Sequence, residues 1–233
     1  MLFRSSFVPE VILTLDQRSV SEAVASLRKR IANAGGVDVA LVGVTKTFGS
    51  EAWRFAKVAG CDAVGENYAQ EVVAKAAEVA LVDRLPVHFI GQLQSNKIKQ
   101  LAGIVDVWQS VDRLSILTEI AKRSPNSAQV LLQVNLTGEE AKGGCLPAEV
   151  GGLSRAAQDL GIDVLGLMTV GPTNEDPIVT RITFRTLRTL VNEHGLRQCS
   201  MGMTGDLEIA IEEGSTMVRV GSALFGNRPS PPR

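Results

Sequence analysis

The stretch Asp-Val-Ala-Leu-Val-Gly-Val-Thr-Lys, residues 38–46, indicates how this chain is organised. It is uniformly apolar from residue 39 to residue 44, with β-branched valines at three of those positions. Such a run is typical of an interior strand of a parallel sheet, which is covered on both faces. Parallel α/β proteins keep their chemistry at the carboxyl ends of their strands, which is where Lys46 lies. The run therefore predicts an α/β fold and a first candidate functional residue.

Lys46 has two alternative settings, and its position alone does not decide between them. If Lys46 keeps the parity of Val42 and Val44, it points into apolar surroundings. Desolvation there lowers the pKa of the ammonium from its free value of about 10.4. A neutral amine can form a Schiff base with an aldehyde or a ketone. In the other setting Lys46 has left the sheet and lies in solvent.

The composition excludes several classes of function. The chain has 233 residues, 45% hydrophobic and 21% charged, which is typical of a soluble globular protein. A net charge of -1 and a pI near 6.2 do not favour a nucleic-acid-binding surface. Three widely spaced cysteines suggest a reducing compartment and no metal cluster, and two histidines exclude a multi-histidine metal site. No membrane span or secretory signal is recognisable, so we expect a cytoplasmic protein.

Seven further apolar segments follow, and a helical pattern separates each from the next. Such alternation demands parallel pairing through right-handed crossovers. Eight units close into a (β/α)8 TIM barrel, typically of about 250 residues, and a doubly wound open sheet is the rival architecture. We predict one barrel domain over residues 1–228 and a disordered tail over 229–233. The predicted strands are residues 38–46, 62–64, 87–90, 104–108, 128–134, 162–167, 196–199 and 217–220.

Capping residues mark several helix starts. Ser19, followed three residues later by Glu22, predicts that the first helix begins there with a capping box. Asp176 before Pro177 predicts another helix start, because proline is favoured at the first helical position. Thr204 is predicted to cap the helix that precedes the last strand.

Four strand ends carry polar or small residues that a barrel would bring to one rim. Besides Lys46, these are residues 65–67 (GEN), 200–204 (SMGMT) and 219–222 (RVGS). The last two have the composition of a phosphate site, since small residues admit backbone N–H groups and hydroxyls add donors. They also follow the two strands that usually hold phosphate in barrel enzymes. Alternatively, Ser200 and Thr204 are helix caps and the glycines are turn residues.

Arg219 lies inside an otherwise apolar strand, where a guanidinium needs an acceptor. It could pair with a carboxylate such as Glu208, or it could donate to a ring nitrogen of a bound cofactor. An aldehyde-bearing, phosphorylated pyridine fits the whole set. Lys46 would take the aldehyde and Arg219 the ring nitrogen. Ser200, Gly221 and Ser222 would hold the phosphate. The sequence therefore points to pyridoxal 5′-phosphate (PLP).

Short motifs distributed over nearly the whole chain resemble one known family. They are VTKT at 44–47, GEN at 65–67, HFIG at 88–91, LQSNK at 93–97, SVDR at 110–113, GLM at 166–168, SMGM at 200–203 and GSTMVRVG at 214–221. This set is similar to that of the pyridoxal-phosphate homeostasis proteins, the single-domain relatives of alanine racemase. The chain departs from the family pattern at Phe48 and Gly49, where another lysine and a proline are usual, at Cys199 for leucine, and at Thr204 for serine.

The resemblance implies a barrel of the alanine-racemase type, known as PLP fold type III, with PLP as cofactor. It implies a Schiff base at Lys46 and Asn67 beside the cofactor ring. Met201 is either a packing residue or part of the pocket lining. The cofactor-binding residues are thus predicted to be Lys46, Asn67, Ser200, Met201, Arg219, Gly221 and Ser222.

A complete cofactor site does not by itself predict catalysis. A racemase needs a base on each face of its substrate, and Lys46 can serve only one. Tyr68 is the only tyrosine, and an arginine at the ring nitrogen weakens the cofactor as an electron sink. We therefore expect a monomeric PLP carrier without efficient catalysis, whose partners are PLP and apo-enzymes that use it, with no nucleic acid or membrane partner. The resemblance agrees with a role in PLP homeostasis and, indirectly, in amino-acid and keto-acid balance.

Three other interpretations remain open at this level. A weak PLP-dependent amino-acid racemase would take its second base from a partner chain. A Schiff-base aldolase would use Lys46 without a phosphate site, and an interaction module would use the lysines of residues 95–99. Glu66 either orients Lys46 or Asn67 or is a surface carboxylate, and His88 is predicted to be a hydrogen-bonded histidine within a strand.

Overall fold

Eight parallel strands close into a barrel in the computed structural model, which describes residues 15–226. Each strand pairs with the next along the chain, and the last pairs with the first. The predicted (β/α)8 barrel is confirmed, and the open doubly wound sheet is wrong because no strand among the described residues remains at an edge. The strands are β1 Ala40–Val44, β2 Ala63–Glu66, β3 Val87–Phe89, β4 Val107–Val111, β5 Gln129–Gln133, β6 Asp163–Met168, β7 Gln198–Ser200 and β8 Met217–Val220.

Helices surround the barrel and connect consecutive strands. Short 3-10 turns span Leu81–Asp83, Glu140–Lys142 and Pro147–Glu149. Over the described part of the chain the α-helices are α1 Gln17–Asn33, α2 Glu51–Ala59, α3 Ala69–Glu78, α4 Ser95–Leu101, α5 Leu114–Arg123, α6 Val150–Asp159, α7 Pro177–Glu193, α8 Leu207–Glu212 and α9 Ser222–Phe225.

The alternation of side chains along the strands divides the core into two layers. Val42, Ala63 and Met217 belong to a small cluster inside the barrel. Their neighbours Leu41 and Val64 belong to the larger cluster between the sheet and the helices. Burial on both faces explains the nearly continuous apolar runs in the sequence. The same alternation decides which residues beyond each strand end face the barrel axis.

Some predicted element ends are confirmed, and others are corrected. Asp176 accepts hydrogen bonds from the first backbone N–H groups of α7, and β8 has its predicted bounds. The first helix is capped by Asp16, whose carboxylate accepts from Ser19 N at 3.0 Å, so the prediction of Ser19 as cap is wrong. β4 begins three residues later than predicted, because the N–H groups of residues 104 and 105 bond to Leu101 at the end of α4.

Two further predictions meet the limits of the described region. The tail predicted over 229–233 lies outside the described residues, as do both ends of the domain predicted over 1–228. Within residues 15–226, no helix combines the length and the apolar character that a membrane crossing requires.

Candidate functional site

A cavity of about 700 Å³ lies at the carboxyl ends of the strands. Its walls come from the ends of β1, β2, β3, β6, β7 and β8 and the segments that follow them, as expected for a TIM barrel. Five of the seven residues predicted for the cofactor line it. They are Lys46, Asn67, Arg219, Gly221 and Ser222.

Lys46 enters this cavity because of its register. Val42 faces the barrel interior, Val44 lines the cavity, and Lys46 follows with the same parity. Thr45 has the opposite parity, and its buried hydroxyl donates to Glu66 Oε1 at 2.6 Å behind the strand. Of the two settings left open by the sequence, the structure has the one in which Lys46 faces the cavity and is half-buried.

Arg219 forms part of the cavity floor and has two neutral acceptors. Its Nη1 donates to Ser200 Oγ at 2.7 Å, and its Nη2 donates to the backbone carbonyl of Thr169 at 2.8 Å. Burial lowers the pKa of the guanidinium to about 10, which still leaves it protonated at neutral pH. Glu208, the alternative partner, instead pairs with Arg30 at 2.6 Å. Arg219 thus presents a positive charge to the cavity without a paired carboxylate in the described residues.

A hydrogen-bonded chain continues from Arg219 across the barrel interior. Because Ser200 Oγ accepts from Arg219, its proton is donated to Gln109 Oε1 at 2.7 Å. The amide nitrogen of Gln109 then faces His88 Nδ1 at 2.7 Å, so this ring nitrogen is the acceptor. Burial lowers the pKa of His88 to about 4, which agrees with a neutral ring. The prediction of a hydrogen-bonded strand histidine is confirmed.

Two of the predicted cofactor residues, Ser200 and Met201, do not lie on the cavity wall. Ser200 is completely buried beneath Arg219, with its hydroxyl committed to the chain. Met201 points the other way, into the core between the sheet and the helices. Met203, two residues later, is among the cavity-lining residues.

Thr204 is the residue at this loop whose hydroxyl reaches the cavity. It lines the wall, and its Oγ1 lies 3.2 Å from Ser222 Oγ. The prediction of Thr204 as a helix cap is wrong, since Asp206 is the N-cap of α8. One signal in the sequence could have identified Thr204 as a residue of the site. The family pattern has serine at this position, so the replacement by threonine keeps a hydroxyl group there.

The hydroxyls of Thr204 and Ser222 lie close together because the backbone segments that carry them pack closely against their neighbours. A Cβ added to Gly221 would lie 3.2 Å from the carbonyl oxygen of Val44, so a larger residue would push the β8 end away from β1. Gly202 has a φ of 98°, and a Cβ there would meet Ala210 at 2.5 Å. These glycines let the loops after β7 and β8 converge on one spot, where small residues can admit an anion.

Asn67 provides a direct indication that the site accepts a ligand. Its side-chain oxygen is buried and has no hydrogen-bond partner among the described residues, although a buried acceptor of this kind costs free energy. It belongs to the same wall as Lys46 and Arg219. An amine, a guanidinium, two hydroxyls and an amide around one cavity fit an aldehyde-bearing, phosphorylated pyridine.

Comparisons with known proteins agree with the fold and with the family that the sequence resembles. The family model of the alanine racemase N-terminal domain matches residues 15–229. A pyridoxal phosphate homeostasis protein of Pseudomonas aeruginosa is 40% identical over 224 residues, covering 90% of this chain and 96% of the relative. One from Aquifex aeolicus is 43% identical over 198 residues, covering 81% and 86%.

Solved structures give the same result. The PipY protein of Synechococcus elongatus, with PLP bound, is 33% identical with a TM-score of 0.78, covering 89% of this chain and all of that one. Alanine racemase of Streptomyces coelicolor, at 23% identity and a TM-score of 0.74, covers 93% of this chain and 60% of its own, and shows the fold alone.

The fold and the matched family model define a barrel protein of the alanine racemase N-terminal domain class. Within that class, the chain belongs to the pyridoxal phosphate homeostasis proteins.

Proposed function

We propose that this chain binds PLP in the cavity at the barrel mouth, holds it as a Schiff base on Lys46 and acts in PLP homeostasis. The observation that carries the proposal is the joint placement, around one cavity, of Lys46, Arg219 and the Thr204–Ser222 hydroxyl pair. When bound, PLP supplies a reactive aldehyde on an electron-withdrawing ring. Its aldehyde, ring nitrogen and phosphate then each have a partner of matching chemistry.

The residues divide into those that contact PLP and those that support them. Lys46 takes the aldehyde, Arg219 donates to the ring nitrogen, and Asn67 lies beside the ring. Ser200 acts from below, because it holds Arg219 by a 2.7 Å hydrogen bond, and Met201 packs behind the loop. The phosphate is held by Thr204, Gly221 and Ser222.

The charges around the cavity favour a carrier over an efficient racemase. The ionisable residues that line it, within residues 15–226, are Lys46, Glu175 and Arg219. Glu175 is exposed and lies beside Gly205, at the hydroxyl end of the cavity. Tyr68 is half exposed and lines a different pocket, between α3 and α4. A second base facing Lys46 across the substrate is therefore lacking in this part of the chain, which would leave a racemase slow at best.

The cellular role follows from binding without turnover. A protein that keeps PLP in a reversible covalent linkage limits the free aldehyde and can supply PLP-dependent apo-enzymes, which affects amino-acid and keto-acid balance. We place this activity in the cytoplasm and in a monomer. The names of the relatives and the PLP-bound state of PipY support the proposal.

Reductive trapping tests the proposal directly. After one equivalent of PLP and borohydride, intact-mass analysis should show one adduct, and peptide sequencing should place it on Lys46. Lys46→Ala should lose most of the adduct, whereas Lys99→Ala, on the exposed face of α4, should keep it. Labelling of the wild type mainly at other lysines would refute the proposed site. Exchange of the α-proton of alanine in deuterated water, faster than with free PLP, would favour the weak racemase.

A further inference from the structure

A buried ion pair lies directly behind the end of β1, outside the barrel and away from the cavity. Lys75 Nζ, on α3, lies 2.6 Å from Oε1 of Glu66, the last residue of β2. The side chains are 4% and 0% exposed, respectively. Glu66 faces the helices because Ala63, three residues earlier on the same strand, faces the barrel interior. Neither residue is among those that line the cavity.

The pair is hydrogen-bonded to the residue that precedes Lys46. Lys75 Nζ donates to the backbone carbonyl of Thr45 at 2.7 Å, and the Thr45 hydroxyl donates to Glu66 Oε1 at 2.6 Å. Trp53 on α2 adds a third donor to the same oxygen at 2.9 Å. The Thr45 carbonyl belongs to the peptide bond that joins Thr45 to Lys46. The same carbonyl also accepts from Phe48 N at 3.2 Å, so the ion pair adds a second restraint on the orientation of that peptide plane.

The residue that follows Lys46 is held by the same group of charges. Thr47 N donates to Glu71 Oε2 at 2.8 Å, and that oxygen lies 3.6 Å from Lys75 Nζ. Thr47 has a φ of 72°, a left-handed conformation that a β-branched residue adopts only when its surroundings impose it. Glu66, Lys75 and Glu71, which we call the clamp, thus hold the backbone on both sides of Lys46.

The energetics of the clamp argue against a role in packing alone. A buried ion pair is often no more stabilising than apolar residues of similar volume, because two charges must leave water. In addition, Glu66 Oε2 is buried without a hydrogen-bond partner among the described residues. Apolar side chains would fill the space between β2 and α3 at lower cost. They could not hold the Thr45 carbonyl and hydroxyl in one orientation.

We propose that Glu66, Lys75 and Glu71 are positioning residues that fix the backbone of residues 45–47 and so direct the Lys46 amine into the cavity. The inference rests on the proposed function in that Lys46 is the residue that reacts. Glu66 is fully buried, so its interpretation as a surface carboxylate is wrong. Of the two orienting roles, the inference assigns it the orientation of Lys46 and not that of Asn67. The clamp would act on the reactivity of Lys46 through geometry, since none of its three residues lines the cavity.

The main test removes the cation without removing bulk. In Lys75→Met the Thr45 carbonyl loses one of its two donors and keeps only Phe48 N at 3.2 Å. The rate of formation of the borohydride-trappable adduct should then fall by about tenfold or more, since small misplacements of reacting groups are costly. Val72→Ala is the matched control. Val72 is fully buried on the same face of α3 as Lys75, but its side chain forms no hydrogen bond with Glu66, Lys75 or Glu71. This variant should lower the melting temperature and leave the rate unchanged.

A second readout needs no PLP. The pH profile of Lys46 acylation by a small water-soluble reagent, followed by peptide mass, should differ from wild type in Lys75→Met and match it in Val72→Ala. If wild-type protein forms no adduct at Lys46, the proposed function fails, and this profile still decides whether the clamp positions the amine. A wild-type profile and rate in Lys75→Met, or equal changes in Val72→Ala, would overturn the inference.

Glu71 allows the same test if Lys75→Met does not fold, because it is 28% exposed. Glu71→Ala removes the acceptor of Thr47 N, so amide exchange at Thr47 should accelerate and the adduct should form about threefold more slowly. Glu71→Gln keeps an acceptor oxygen and should restore both values to near wild type. Slow exchange at Thr47 in Glu71→Ala would contradict the clamp.

Discussion

Two buried polar networks support the candidate site, and they differ in how their hydrogen bonds and charges are arranged. Inside the barrel a line of hydrogen bonds runs from Arg219 to Ser200, from Ser200 to Gln109 and from Gln109 to His88. Behind β1, three donors from Thr45, Trp53 and Lys75 converge on one oxygen of Glu66, while its other oxygen has no partner in the described residues. The first network keeps its single charge at the cavity, whereas the second keeps its charges away from it. The comparison indicates that the inner network presents a charge to the ligand and the outer one orients a backbone.

The largest expected effect comes from breaking the outer ion pair. Glu66→Ala leaves the Lys75 ammonium buried without its main partner, so the free energy of unfolding should fall by about 3–5 kcal/mol. The combined variant Glu66→Leu with Lys75→Met should recover most of that loss, because apolar residues of similar size replace the pair. Urea unfolding of the three proteins measures both values. If the double variant is as unstable as Glu66→Ala, the ion pair itself stabilises the fold.

A smaller effect is expected from protonation of the inner network. The pKa of His88 is about 4 in the folded chain, against about 6.5 when unfolded. Between these values the unfolded state binds a proton and the folded state does not, so stability falls as the pH decreases from 6.5 towards 4. The full loss is on the order of 3 kcal/mol.

The variant His88→Gln isolates this contribution, because glutamine offers an acceptor oxygen and does not titrate. Denaturation curves at pH 6.5 and pH 5 should show a smaller pH-dependent loss in His88→Gln than in wild type. Equal losses in the two proteins would mean that His88 is charged in the folded state or that its pKa does not change on folding.

The smallest effect is expected at the link between Gln109 and Arg219. Ser200→Ala leaves one acceptor and one donor without their partner, which should lower the free energy of unfolding by about 2 kcal/mol. Arg219 keeps its bond to Thr169, so the PLP adduct should still form, but its absorption spectrum should shift because the guanidinium is less firmly placed. Ser215→Ala, another buried serine but outside the network, is the control for the spectrum. A shift of the same size in Ser215→Ala would argue against a specific role of Ser200.

The sequence predicted the half of the site that depends on strand register. Lys46 ends an apolar run and Arg219 lies within one, and period-two alternation is enough to place both on the barrel side of their strands. Gly221 and Ser222 follow directly from the end of β8 and line the cavity as expected. These predictions needed no knowledge of loop conformation.

The sequence was less informative where a loop changes direction. From Ser200 to Thr204 the chain leaves β7, and both residues carry a hydroxyl that could meet an anion. In the structure Thr204 lies on the cavity wall and Ser200 lies beneath Arg219, and Gly202 between them turns the chain with a φ of 98°. The clamp was not predicted either, because the position of Lys75 on α3 does not identify Glu66 as its partner until α3 is docked on the sheet.

The amino-acid sequence alone determined the barrel, the rim at which its chemistry lies and the chemical identity of the groups there, because hydrophobic alternation and strand ends are local properties of the chain. Tertiary structure alone decided which hydroxyl reaches the cavity, which acceptors hold Arg219 and how the backbone around Lys46 is held. Those outcomes depend on contacts between residues distant in the chain, such as Glu66 with Lys75 and Gln109 with Ser200, which form only when the barrel closes and the helices pack on it.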